Sequence, residues 1–88
     1  MMNIESIVQE TIADTDTVMT IVVISAVTSQ CVLARQMIDV LGRPGRDNDM
    51  EFVGSGERWM ISWTQPNLTL KATQALVTKA LNSPLGTV

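Results

Sequence analysis

"TIVVISAVTSQC", residues 20–31, decides how this chain folds, because the most apolar part of the sequence turns abruptly polar within it. Across Thr17–Thr28 nine of twelve residues are β-branched, and the apolar run is continuous rather than alternating. That is the pattern of a strand buried on both faces. From Ser25 the period changes: Ser25, Thr28, Ser29, Arg35, Gln36 and Asp39 fall within one arc of a helical wheel, while Cys31, Ala34, Ile38 and Leu41 lie elsewhere. The stretch therefore predicts a strand over 18–26 running into a helix over 28–41, capped by Thr28 or Ser29 and stopped by Gly42 in a left-handed conformation. One rival is a single long helix over 16–41, since the helical arc already begins at Ser25. Another is a membrane span, because Thr17–Ala34 holds no charge and approaches the minimum spanning length. Arg35, Arg43 and Arg46 follow that segment and acids precede it, as an orientation signal would require. Thr20, Ser25, Thr28, Ser29 and Gln30 argue against a span, so no membrane partner is expected.

Toward the N-terminus, Ile4, Ile7, Val8, Thr11 and Ile12 recur at helical spacing behind Asn3 as a cap, with Glu5, Gln9 and Glu10 on the other side. This predicts a short amphipathic helix, followed by a turn at "DTDT", residues 14–17. Toward the C-terminus, "RPGRDND" (43–49) reads as loop. "MEFVG" (50–54) and "RWMISW" (58–63) flank Ser55-Gly56-Glu57 as a hairpin. In its second strand Trp59, Ile61 and Trp63 point one way and Arg58, Met60 and Ser62 the other. Thr64-Gln65-Pro66-Asn67 is expected to break that strand. A last helix comes next, over 68–82, with Lys71, Gln74 and Thr78 on a polar edge, and "LGTV" (85–88) is left as a possible final strand.

The predicted fold class is α+β: an N-terminal helix followed by a β-α-β-β-α core on the split βαβ (ferredoxin-like) plan, in which two helices cover one face of an antiparallel sheet. The N-terminal helix would cover the other face. The alternative is a helical protein with the long helix 16–41 plus a β-hairpin. The 88 residues predict a single domain over 1–88.

Composition excludes much chemistry. There is no histidine, which removes the commonest metal ligand and the usual general base together. Cys31 is the sole cysteine, so no intrachain disulfide and no C-x-x-C centre exists. The formal charge of −3 leaves no basic stripe for phosphates, and no nucleic-acid partner is expected. Residues 1–16 carry four acids and no base, unlike a secretory or transit peptide, and a reducing cytoplasmic setting is the expectation. The Asn67-Leu68-Thr69 sequon is then a chance match. Apolar residues make up 45% of the chain, nearly all of them aliphatic. A chain this small and aliphatic is expected to leave apolar surface that self-association would cover.

Three groups of residues are candidates for a site. Arg43 and Arg46, beside Gly42 and Gly45, could clamp a phosphate or carboxylate, although a solvated turn explains them equally well. Trp59 and Trp63, on one strand face, could form a ligand or partner platform or pack in the core. Cys31 is a redox candidate near a helix start, or a small buried apolar residue. Asp47, Asp49 and Glu51 alternate like calcium ligands, but Phe52 stands where the EF-hand loop needs glycine, so they read as a solvated charge run and no metal is expected.

"IVVISAVTSQCVLARQMIDVLG" (21–42) resembles the opening strand, active-site turn and first helix of glutaredoxin-type proteins, with Cys31 at the second cysteine of the family's C-x-x-C. Ala34, Asp39, Leu41 and Gly42 fall at familiar helix positions. Thr28 stands where the nucleophilic cysteine belongs, and the later Thr-Val-Pro and Gly-Gly motifs are missing. The resemblance covers a quarter of the chain and implies a thiol-redox protein. The residues themselves favour a non-enzymatic homo-oligomeric protein-interaction or regulatory module, without cofactor. The alternative is a small-ligand or anion-binding protein using the arginine loop.

Overall fold

A computed structural model describes residues 2–13, 15–41 (the Asp39 side chain excepted), 50–66 and 69–82. The elements run β1 (Asn3–Thr11), β2 (Thr17–Ser25), α1 (Gln30–Leu41), β3 (Glu51–Gly54), β4 (Arg58–Pro66) and α2 (Leu70–Leu81). The four strands form one sheet in the order β1-β2-β4-β3, each neighbouring pair antiparallel. Both helices lie on one face. The protein is thus α+β, with a four-stranded antiparallel sheet and two helices.

The opening stretch divides where its period changes. β2 carries the β-branched run, and α1 starts at Gln30 after Ser29, whose hydroxyl accepts a 3.3 Å hydrogen bond from the Val32 amide. Leu33, Gln36 and Met37, at helical spacing, form the buried face of α1. The continuous helix 16–41 is ruled out by this break, and among the described residues no helix is long and apolar enough to cross a membrane. β2 departs from expectation in one respect. Only its even-numbered residues are fully covered, whereas Met19, Ile21 and Val23 on the opposite face remain half-buried or exposed.

The N-terminal helix is also overturned, because residues 3–11 form an edge strand paired with β2. The physical reason is a bulge. Ile4 pairs with Ile24 and Ser6 with Val23, so Glu5 is an extra residue that the partner strand does not match. The insertion resets the two-residue alternation and puts Ile4 and Ile7, three apart, on the same sheet face. A spacing of three is what a helix would also require, and it misleads. The turn to β2 lies where expected: the Thr15 hydroxyl donates to the Ile12 carbonyl at 2.8 Å, and the Thr15 amide donates to the same oxygen at 3.2 Å.

The β3–β4 hairpin closes through Ser55-Gly56-Glu57, with Gly56 at φ 96°, a conformation that residues with a Cβ resist. The loop before α1 is tied to this turn: the Ala26 and Thr28 amides donate to the Glu57 and Gly56 carbonyls at 2.9 and 3.0 Å. β4 does not break at Thr64 but continues to Pro66, opposite Thr17. Proline lacks an amide donor and is tolerated at a strand terminus. α2 begins at Thr69, whose hydroxyl accepts from the Ala72 amide at 3.1 Å. Residues 85–88, expected as a possible strand, lie outside the described residues.

The core lies between the helices and the alternate residues Val22, Ile24, Ile61 and Trp63 of the central strands, with Leu33, Met37, Val77 and Ala80 closing it from above. A line of polar side chains crosses it. Thr73 on α2 accepts hydrogen bonds from Gln9 Nε2 (2.8 Å) and Gln65 Nε2 (2.9 Å) and donates to the Thr69 carbonyl (3.0 Å). Gln9 also reaches Thr20 (3.2 Å), and the Trp63 indole donates to Gln65 Oε1 (2.8 Å). The Thr73 hydroxyl thereby uses both acceptor positions and its proton. A buried polar group is tolerated on that condition, and in meeting it the network joins β1, β2, β4 and α2.

Candidate functional site

Strand alternation places three kinds of residue on the sheet face away from the helices. Apolar side chains line it: Met19, Ile21 and Val23 on β2 and Met60 on β4 in the central strands, with Val8 on β1 and Val53 on β3 at the edges. Small hydroxyls fill the positions between them, with Ser62 beside Ile21 and Ser6 beside Val23. Charges stand at the margin: Glu10 and Glu51 at the two edge strands, and Arg58 at the hairpin end. Glu5, carried by the bulge, reaches Arg58 in a 2.9 Å ion pair. Exposure is substantial, at 49% for Val8 and 58% for Val53 on the edge strands and 42% for Met60 on β4.

Beside Met60 the face is hollowed. Val23, Val53, Met60, Arg58, Trp59 and the hairpin residues Gly54 and Ser55 line an open depression of about 470 Å3. Gly54 shapes the hairpin here. A Cβ at this position would collide with the Arg58 carbonyl and the Trp59 ring, so only glycine lets the indole approach the backbone this closely.

The residues singled out from the sequence do not converge. Trp59 and Trp63 both turn toward the helices, and at 7% and 4% exposure they are core side chains rather than a surface platform. The Trp59 indole N–H has no hydrogen-bond partner among the described residues, unlike that of Trp63. Cys31 is exposed in the first turn of α1, not buried as expected for a lone thiol. Arg43, Arg46, Asp47 and Asp49 lie outside the described residues, while Glu51 sits exposed on β3. Among the described residues no group of His, Cys, Asp and Glu side chains could hold a metal ion. The N-terminal helix expected to cover this face is instead the edge strand β1, so the apolar odd-numbered residues of the run at 17–28 are left without that cover.

Comparisons with family models, with curated proteins and with solved structures each found no match. The functional reading of this chain therefore rests on its own geometry.

Proposed function

We propose that this chain is a non-enzymatic protein-interaction module that works as a homo-oligomer. One observation carries the reading: among the described residues four large apolar side chains, Val8, Met19, Val53 and Met60, share the sheet face away from the helices and are each at least 38% exposed. Burying such surface against a second copy stabilises association by about 25 cal/mol per Å2 before entropic costs. The antiparallel order, with β2 and β3 running the same way on either side of β4, supports reading residues 17–81 as a split βαβ unit with β1 added at one edge. A reducing, cytoplasmic setting belongs to the same reading and is supported by the single, exposed thiol. Sedimentation equilibrium at micromolar concentrations tests the proposal, and the expected result is a mass at least twice the 9.6 kDa of the chain. A single 9.6 kDa species at high micromolar concentration would refute it.

A further inference from the structure

We infer that β1 is a detachable strand, which leaves β2 while the other five elements keep their fold, and that β1 of a second copy takes its place. The inference rests on the homo-oligomer reading for the second copy and adds to it the segment that passes between chains. Among the described residues the buried side chains come from β2, α1, β4, α2 and the loop residue Ala26, and none comes from β1. Ile4 and Ile7 are half-buried at the margin of the core. β2, α1, β3, β4 and α2 form on their own the β-α-β-β-α unit that contains this core.

One ladder and a few polar ties hold β1. It pairs with β2 alone, and the bulge at Glu5 interrupts that pairing. Gln9 donates to Thr73 and Thr20 at 2.8 and 3.2 Å, and Glu5 reaches Arg58 in a 2.9 Å ion pair that lies in contact with water. Water replaces each of these bonds when the strand lifts, so β1 opens at a fraction of the cost of unfolding the whole chain.

The vacated edge accepts one kind of segment. Gln9 stands opposite Thr20 in the register, and its Nε2 bridges the Thr20 and Thr73 hydroxyls. A shift of the strand by one residue turns Ile7 and Gln9 away from the helices, and a shift by two puts Ile7 or Thr11, neither of which carries a side-chain amide, opposite Thr20. The segment must also supply the extra residue of the bulge, with an acid there to reach Arg58. β1 of a second copy meets every condition because it is the same sequence. Exchange therefore reproduces the contacts of the single chain and opens only the turn between β1 and β2, where Thr15 donates to the Ile12 carbonyl at 2.8 Å and accepts from the Thr17 amide at 3.1 Å. Mutual exchange closes a two-fold dimer.

The test uses the full chain and a fluorescein-labelled peptide of residues 2–12. Fluorescence anisotropy is expected to show saturable capture of the peptide, and capture about tenfold or more weaker when the peptide carries Gln9→Val. The control ties β1 down: Glu10 and Met19 face each other across the β1–β2 ladder, and Glu10→Cys with Met19→Cys, in a Cys31→Ser background, form a disulfide there. With that disulfide closed within the single chain, capture is expected to vanish; with it reduced, capture is expected to return. Sedimentation velocity of the same protein is expected to show a dimer when reduced and only the single chain when oxidised. A parent chain that captures no peptide, or an oxidised chain that captures it as well as the reduced one, overturns the detachable strand. Capture by a parent that remains a 9.6 kDa species at high micromolar concentration overturns the oligomer reading and the second copy as occupant. An oxidised chain that dimerises as fully as the reduced one leaves the oligomer reading standing and overturns exchange as its route.

Discussion

Thr73→Val removes one hydroxyl from the middle of the core and changes almost nothing else, since valine matches threonine in shape. Thr73 is fully buried and accepts from Gln9 Nε2 and Gln65 Nε2 at 2.8 and 2.9 Å. In the variant neither amide has that acceptor. Gln9 is half-buried on an edge strand and keeps a 3.2 Å bond to Thr20, so its loss is softened. Gln65 is 8% exposed, is held by Trp63 through its other end and cannot turn to water. The Thr69 carbonyl loses little, because the Thr73 amide still donates to it at 3.0 Å. An unsatisfied buried donor costs about 1–3 kcal/mol, so one full and one partial loss amount to about 2–4 kcal/mol. Thr73→Ser keeps all three bonds and deletes one methyl, at about 1 kcal/mol. Equilibrium urea unfolding, followed by the fluorescence of Trp59 and Trp63 at one fixed protein concentration, measures both variants. Thr73→Val equal to or more stable than Thr73→Ser would show that packing rather than hydrogen bonding holds α2 to the sheet.

The two tryptophans provide an internal comparison in the same assay. Trp63→Phe orphans Gln65 Oε1 whereas Trp59→Phe orphans no protein acceptor among the described residues, so Trp63→Phe should be the costlier by about 1–2 kcal/mol. Gly54→Ala forces a Cβ into the Arg58 carbonyl and the Trp59 ring, and is expected to destabilise by about 1–3 kcal/mol and to shift the Trp59 side-chain resonances; unchanged stability would mean the hairpin opens freely. Cys31→Ser, at an exposed helix position, should change stability by no more than about 0.5 kcal/mol and leave self-association intact. A larger change in the unfolding midpoint would place the thiol in an interface.

Much of this architecture is legible where a period changes abruptly or turn residues interrupt it. The switch near Ser25, the Ser55-Gly56-Glu57 turn and the amphipathic run over 68–82 each mark the start of an element within two residues or so. The first strand was not legible, because a single extra residue at Glu5 converts a strand's spacing into a helix's. The polar network escaped for a different reason: Gln9, Thr20, Gln65 and Thr73 are far apart in sequence, and threonine in a strand or helix ordinarily signals nothing beyond local preference. The sheet face was half-read. The alternation of Met60 against Trp59 is clear, but an uninterrupted apolar run predicts burial on both sides when the helices can reach only one.

The strand order has a consequence for how the chain must come together during synthesis. β1 and β2 leave the ribosome first and can pair as a local hairpin, yet the strand that belongs on the far side of β2 is the last of the four to be made. Until residues 58–66 emerge, β2 exposes a nine-residue row of unpaired amides and carbonyls along one edge, flanked above and below by valine and isoleucine. Such a nascent hairpin is a template for its counterpart on a neighbouring chain. Faster translation of the segment between β2 and β4 would shorten that interval, and truncation anywhere before Arg58 would make it permanent, so fragments of this protein should aggregate where the whole chain does not.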